Sequence, residues 1–402
     1  MENYRFIISG GGTGGHTFPA ISIADGLKER FPDCEILFVG AENKMEMEKV
    51  PAAGYNIVGL PVAGFHRGEI WRNLLFVPKL IRSMLKASRV VKRFKPDCAI
   101  GVGGYASGPV LRVATKLGIP TVLQEQNSFA GVTNRILGKR ADKICVAYDK
   151  MDRFFPSNKI VFTGNPVRQE LLKGKEKVDE AKSVFSIKDD KPVLLIVGGS
   201  LGARSINRSI LKNIDKIKST PVNVIWQTGR FYYEDIKNAL ENDIISNLTI
   251  MEFIPRMDLA YAISKLVISR AGAGTISELC LTGKPAVLVP SPNVAEDHQT
   301  QNAMALVNKN AAILVEDVEA DEVLVTKALE IIMDKKGLDN LESNILELAT
   351  PNATNDIVDV IEGLIKWQSD KVTKGQSGKG TKWQSGKGTK GIIDEGLEKQ
   401  IK

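Results

Sequence analysis

The sequence predicts an α/β protein made of two doubly wound, Rossmann-like domains that face each other across a cleft. Three observations predict it. Short apolar runs repeatedly end in glycine-rich loops that open helix-spaced segments, the order strand, turn, helix. The same series then occurs twice: strand, Gly-Gly loop, helix, and later strand, small-residue loop, helix, Gly-x-Pro, strand. Gly118-Ile119-Pro120-Thr121-Val122-Leu123 mirrors Gly283-Lys284-Pro285-Ala286-Val287-Leu288, a repeat far longer than a solenoid period. Finally, 402 residues with 43% hydrophobic and 25% charged content suffice for two substantial soluble cores. The expected division is 1–165, 166–350, a closing helix over 351–367 and a disordered tail over 368–402.

The chain opens on Phe6-Ile7-Ile8-Ser9, then Gly10-Gly11-Gly12-Thr13-Gly14-Gly15-His16, then a helix-spaced segment over 20–27. Glycines let a ligand approach the main chain, and the free N–H groups of the following helix favour an anion. His16 stands at the mouth of this loop and can exchange a proton near neutral pH. Gly10, Gly12 and Gly15 also satisfy a dinucleotide fingerprint, which needs an acid at the end of the second strand. Glu35 opens that strand, over 36–39, and Glu42 lies past its end, so the dinucleotide reading stays open.

A helix over 45–53 follows, then a surface loop over 61–68. From 70 to 96 there is no acidic residue, while Arg72, Lys79, Arg82, Lys86, Arg89, Lys92, Arg93 and Lys95 interleave with apolar side chains. Pro78 starts or kinks the main helix here. The pattern fits a solvated helix face or a patch resting on an anionic membrane surface. A strand near 98–102 runs into Gly103-Gly104-Tyr105-Ala106-Ser107-Gly108 and a helix over 110–117. The strand at 121–123 ends in Gln124-Glu125-Gln126-Asn127, and carboxyl ends of strands are where open α/β sheets bind ligands.

Gly164-Asn165-Pro166-Val167-Arg168 reads as a hinge. The second half restarts with a strand at 192–197, the loop Gly198-Gly199-Ser200-Leu201-Gly202-Ala203, and a strand at 224–229. A strand at 266–270 then enters Ala271-Gly272-Ala273-Gly274-Thr275, followed by a helix over 276–281 and a strand at 286–290. Helices are expected near 321–333, 339–348 and 355–367. Gln376-Ser377-Gly378-Lys379-Gly380-Thr381-Lys382 recurs as residues 384–390, and threonines stand where a Walker A loop needs its first glycine. Lys366 onward holds nine lysines against four acids, so most of the formal +7 charge belongs to the tail and says little about nucleic acid.

Other chemistries find little support. The four cysteines form no C-x-x-C pair, which suits buried thiols in a reducing compartment and argues against zinc or a disulfide scaffold. No signal peptide and no run of eighteen apolar residues is visible. There is no H-E-x-x-H, no G-x-S-x-G and no D-x-D for a metal–diphosphate bridge, so neither metal nor cofactor is expected. Three phosphate-type glycine loops in two domains point instead to a nucleotide diphosphate. Of the three histidines, His16, His66 and His298, two lie in ligand-type loops.

Gly11-Gly12-Thr13-Gly14-Gly15-His16, the motif at 103–108, Glu125-Gln126-Asn127, the hinge at 164–168, the loop at 198–203, Ala271-Gly272-Ala273-Gly274-Thr275 with Glu278, and Asp297-His298-Gln299-Thr300 together resemble the MurG family. These are bacterial N-acetylglucosaminyltransferases of peptidoglycan synthesis, in glycosyltransferase family 28. The resemblance covers about residues 4–365 in unbroken order. It implies a GT-B fold and inverting transfer of GlcNAc from UDP-GlcNAc to the MurNAc C4 hydroxyl of undecaprenyl-diphosphate-MurNAc-pentapeptide, at the cytoplasmic face of the inner membrane. By motif position it implies that Ser200 and Arg168 meet the donor diphosphate, Ile254 the uracil, Glu278 the ribose, and Gln299 the sugar. Ala271, Gly272, Ala273, Gly274, Thr275 and Ile276 would wrap the nucleotide. Thr13, Gly14, Gly15 and Asn127 would reach the GlcNAc or the acceptor from the N-terminal side, and Gly104 and Tyr105 would also bind substrate. His16 is the expected base, Glu125 its competitor, and the run at 70–96 the docking face for an anionic membrane. Other cell-wall synthesis proteins are further expected partners. Rival readings are another lipid-directed GT-B transferase, such as a diacylglycerol glycosyltransferase, an inactive nucleotide-sugar-binding subunit, and an NAD- or FAD-dependent oxidoreductase.

Overall fold

The apolar runs form two separate sheets, each wholly parallel. The computed structural model describes residues 3–62, 76–168, 170–171, 177–241, 243, 245–294 and 297–377. The first sheet contains β1 (Arg5–Ser9), β2 (Glu35–Ala41), β3 (Asn56–Leu60), β4 (Cys98–Gly101), β5 (Thr121–Glu125), β6 (Lys143–Val146) and β7 (Ile160–Phe162), in the order β3-β2-β1-β4-β5-β6-β7. The second contains β8 (Val193–Val197), β9 (Asn223–Gln227), β10 (Leu248–Met251), β11 (Ser264–Ser269), β12 (Ala286–Leu288) and β13 (Ile313–Leu314), in the order β10-β9-β8-β11-β12-β13. Strand order reverses between β1 and β4 in one lobe and between β8 and β11 in the other. Such switch points leave a crevice at the carboxyl ends of the strands. The glycine loops singled out in the sequence follow these four strands.

Helices cover both faces of each sheet. In the first half they are α1 (Gly14–Arg30), α2 (Glu46–Ala52), α3 (Phe76–Phe94), α4 (Ser107–Lys116) and α5 (Val132–Gly138). The second half adds α6 (Val178–Val184), α7 (Arg204–Lys212), α8 (Ile214–Lys218), α9 (Tyr233–Ala239), α10 (Met257–Ile263), α11 (Ala273–Thr282), α12 (His298–Val307), α13 (Ala320–Met333), α14 (Lys335–Leu346) and α15 (Ala353–Ser377). Because side chains alternate along a strand, each strand feeds two cores. Phe6 and Ile8 pack under α1, while Ile7 joins Val110, Leu111 and Ala114 under α4. Leu195 and its neighbours Leu194 and Ile196 split in the same way.

Helix and strand boundaries shift by a few residues from the sequence reading, with α4 and α11 each starting three residues early, and two shifts are larger. The first helix begins at Gly14, six residues before the expected segment, so Gly14, Gly15 and His16 form its opening turn. The first N–H groups of a helix need no intrahelical partner, so that turn does not depend on strong helix formers. The carbonyl of Thr13 closes it by accepting from the N–H groups of His16, at 3.2 Å, and Thr17, at 3.1 Å. The last helix continues to Ser377, ten residues beyond its expected end, so residues 368–377 are helical rather than disordered. The rest of the expected tail lies outside the described residues, as do 63–68 of the expected surface loop and 70–75 of the basic run.

The chain crosses between lobes twice. Residues 163–168 lead into the second lobe, and 349–352 lead back. The crossings touch: a Cβ on Gly164 would collide with Thr350. After the return, α15 lies on α1, and Ile357, Val358, Ile361 and Ile365 complete the core around Ile23 and Leu27. Arg30 at the end of α1 pairs with Asp359 at 2.8 Å and Glu362 at 2.6 Å. The C-terminal helix thus stabilises the N-terminal lobe. Ile361→Ala leaves a cavity in that core, and a loss of about 2–5 kcal/mol is expected, read as a lower midpoint for the unfolding transition of the first lobe.

Candidate active site

The first glycine loop and the loop after β4 lie back to back. A Cβ on Gly104 would collide with the carbonyl oxygen of Gly11. Ser107 clamps both loops, its hydroxyl bonding the carbonyls of Ser9 at 2.8 Å and Gly103 at 2.7 Å. On this platform sits His16, half-buried at the N-terminal turn of α1. Its Nδ1 lies 2.9 Å from Oε1 of Gln126. Burial pulls the imidazole below the usual histidine range; His298, on α12 of the opposite lobe, adds to this, while Glu125 and Gln126 oppose it.

The first loop does not present a free anion site at Gly12. Glu46, buried on α2, accepts from the N–H of Gly12 at 2.8 Å and the N–H of Ala41 at 2.9 Å. The protein's own carboxylate therefore occupies an N–H group that the sequence reading left for a ligand. The acid required by a dinucleotide site is also engaged: Glu42 pairs with Lys86 of α3 at 2.9 Å. Both findings count against the oxidoreductase reading.

Glu125 is likewise committed. Its Oε1 accepts from the N–H of Asn127 at 3.1 Å and Nδ2 of Asn127 at 3.3 Å. Its Oε2 accepts from the N–H of Gly131 at 3.1 Å and Nδ2 of Asn134 at 2.9 Å. This carboxylate organises the turn after β5. Thr13 and Gly15 are exposed at the mouth of α1, and Tyr105 is exposed on the neighbouring loop.

The second lobe presents a more open surface. Ser200 is exposed in the loop after β8. Following β11, Ala271 is buried, while Gly272 caps α11 and Ala273, Gly274 and Thr275 form its first turn. No acidic residue lies in that turn, and a Cβ on Gly274 would meet nothing within 4 Å. The N–H groups and positive dipole end of α11 therefore face open space suited to an anion. Ile276 and Ile254 are core residues, and the N–H of Ile254 donates to Oε1 of Gln227 at 2.8 Å, so the side chain of Ile254 is not a free surface. Glu278, one turn along α11, accepts from the Tyr261 hydroxyl at 3.0 Å and pairs with Arg168 at 3.4 Å. Burial pushes the Glu278 carboxyl up, and Arg168 and Tyr261 oppose that shift. The Arg168 guanidinium also lies 5.7 Å from the ring centre of Phe18 on α1, so the hinge arginine touches both lobes. Gln299, at the start of α12, accepts from the N–H of Ser291 at 2.9 Å.

Similarity to known proteins follows this layout. The glycosyltransferase family 28 N-terminal domain matches residues 6–146, and the family's C-terminal domain matches 193–357. A protein of Parabacteroides distasonis is 56% identical over 365 residues, covering 91% of this chain and 99% of its own. One from Flavobacterium psychrophilum is 52% identical over 368 residues, covering 92% and 100%. Both are named UDP-N-acetylglucosamine–N-acetylmuramyl-(pentapeptide) pyrophosphoryl-undecaprenol N-acetylglucosamine transferase. The crystal structure of Acinetobacter baumannii MurG superposes with a TM-score of 0.70 at 31% identity, covering 90% of this chain and all of that one.

The chain belongs to the MurG family of glycosyltransferase family 28. Its GT-B fold is that of MurG, with the motif residues of each lobe gathered at the switch points. Sequence reasoning missed the residues that hold this MurG cleft together. Asn302, fully buried on α12, accepts from the N–H of Ser128 at 2.9 Å and its hydroxyl at 3.0 Å, and donates to Oδ1 of Asn127 at 3.1 Å. Asn165 accepts from Nε2 of Gln124 at 2.9 Å and donates to the carbonyl of Gln126 at 3.0 Å and to Ser277 of α11 at 2.9 Å. No local signal set them apart: Asn302 closes the polar run 296–302, and Asn165 was read only as part of the hinge at 164–168. Asn302→Ala strands these partners, so docking of the lobes should weaken by about 1–3 kcal/mol. Faster proteolysis across residues 163–168, compared with wild type, checks this. Glu46→Gln replaces an acceptor with an amide donor facing an N–H, and a similar loss of thermal stability is expected.

Proposed function

We propose that the protein moves GlcNAc, with inversion, from UDP-GlcNAc to the C4 hydroxyl of MurNAc in undecaprenyl-diphosphate-MurNAc-pentapeptide (lipid I), giving lipid II for peptidoglycan synthesis. The observation that carries this reading is His16, a half-buried imidazole on the acceptor lobe facing α12 of the donor lobe. The near full-length identity to the transferases named above supports it.

In this assignment the open turn of α11 and the exposed Ser200 hold the donor diphosphate through N–H groups and a hydroxyl, and Arg168 adds charge as UDP departs. Glu278 accepts from the ribose hydroxyls, and Tyr261 and Arg168 aim it. Ile254 offers the uracil its main-chain carbonyl, since its N–H is engaged by Gln227 and its side chain is buried. Gln299 contacts the sugar. Thr13, Gly14, Gly15, Gly104, Tyr105 and Asn127 border the acceptor. His16 takes the proton of the attacking hydroxyl as the bond from the anomeric carbon to the diphosphate breaks. Glu125, with both oxygens satisfied, holds the Asn127 turn instead.

The substrate lipid places the enzyme at the cytoplasmic face of the inner membrane as a peripheral protein. No helix among the described residues is long and apolar enough to cross a membrane. On α3, Leu80, Ile81 and Leu85 are 41%, 56% and 55% exposed beside Lys79, Arg82 and Arg89. Apolar side chains flanked by cations suit an anionic lipid surface.

The direct test is transfer of labelled GlcNAc from UDP-GlcNAc to a lipid I analogue, with diacylglycerol as the competing acceptor. Absence of transfer to lipid I by folded protein sinks the assignment. His16→Ala should lower kcat by about a hundredfold or more. A base must be neutral to accept a proton, and the His16 pKa is lowered. Activity should therefore persist below the ordinary histidine range of about 6.5 and fall only at more acid pH, read from the acid limb of the kcat profile. Replacing Leu80, Ile81 and Leu85 by serine should reduce co-sedimentation with vesicles containing anionic lipid, while transfer to a water-soluble acceptor is retained.

A further inference from the structure

We propose that Gln126 is a positioning residue that holds His16 as its Nδ1–H tautomer and so leaves Nε2 as the atom that takes the proton. The inference rests on the reading of His16 as base and deepens it. Gln126 is buried. Its Nε2 donates to the carbonyl of Val102 at 2.8 Å and the carbonyl of Gln124 at 3.2 Å, and it also meets Oε1 of Gln124. Turning the amide over would set its oxygen against three other oxygens and its NH₂ against the imidazole. The orientation is therefore determined by the surrounding acceptors.

An amide oxygen can only accept. With Oε1 of Gln126 at 2.9 Å, Nδ1 of His16 must carry the proton. A neutral imidazole has one N–H, so Nε2 keeps its lone pair. The ring cannot swing away easily. It lies against Gly103, where a Cβ would stand 2.9 Å from Cε1 and 3.1 Å from Nδ1. Gln126 is held in turn from the hinge, because its carbonyl accepts from Asn165.

The choice of amide over carboxylate has a consequence. A carboxylate on Nδ1 stabilises the imidazolium and raises its pKa, whereas a neutral amide orients the ring with less charge stabilisation. The titratable groups facing the ring are Glu125 on β5, which favours the charged form, and His298 on α12, which opposes it. Gln126 therefore provides orientation, while burial and His298 keep His16 neutral against the opposing pull of Glu125 and of Gln126 itself.

The test is ¹⁵N–¹H correlation of the imidazoles in the labelled full chain, with the His16 signals assigned by subtraction, since the chain has three histidines. Wild type should show a protonated Nδ1 and an unprotonated Nε2 at neutral pH. Gln126→Met should lose that tautomer preference and lower kcat about tenfold or more, with a smaller change in KM for UDP-GlcNAc. Gln126→Glu restores an acceptor and should restore the tautomer, with the acid limb of the kcat profile moved to higher pH. A proton on Nε2 in wild type overturns the proposal without any variant having to fold. So does a methionine variant with wild-type tautomer and kcat, or a glutamate variant whose acid limb stays in place. If the Nδ1–H tautomer is found but His16→Ala keeps near-normal kcat, the base assignment falls while the tautomer assignment stands.

Discussion

The rest of the site depends on a backbone contact between two loops. Gly104 approaches the main chain of Gly11 so closely that its loop has no room for a side chain there, and Gly11 is closed on its other side by Glu46. The contact exists because β1 and β4 are adjacent and parallel, so both loops leave the sheet at the same edge. It sets the plane on which His16 rests and fixes the distance from α1 to the Gln126 turn. Separating the loops would leave the imidazole without its Gly103 floor and without its partner on Nδ1. Resting an imidazole on main chain in this way limits its motion more than a place on an exposed helix face could.

Two lobes of the same topology have taken different uses of the same turn. In the first, the anion-binding potential of the glycine loop is partly satisfied internally by Glu46, and the loop becomes a rigid support. In the second, the turn after β11 opens α11 with no acid in its first helical turn and faces open space at Gly274. This asymmetry separates an internally satisfied loop from an open helix turn, although both arise from one strand–loop–helix pattern.

Uncharged amides and hydroxyls tie the lobes together. Asn165 and Asn302 each contact both lobes, and Arg168 reaches from the hinge to Glu278 and Phe18. Buried amides demand specific partners, so they select one docked arrangement, yet each hydrogen bond contributes only modest net stability. That combination suits a cleft that must exchange nucleotide. The α15 helix adds a second tie by returning to the first lobe, where burial of its isoleucines makes the crossing at 349–352 a structural strut.

The sequence alone determined the fold class, the two-lobe repeat and the glycine loops at the switch points, because these follow from periodicity and from glycine placement within a few residues. The central strands other than β6 were legible as dense apolar runs. The edge strands β3, β7, β10 and β13 were not, since edges are half-solvated and carry a weaker apolar signal. Motif order made the MurG resemblance readable over most of the chain. Tertiary structure alone decided which groups in those motifs are free. Glu46 is 34 residues from Gly12, and Asn302 is 174 from Ser128. Gln126 meets His16 across a separation of 110. Hydrogen bonds are short and directional, so partners this distant in the chain are chosen by how the sheets stack and the loops close, which no local pattern encodes.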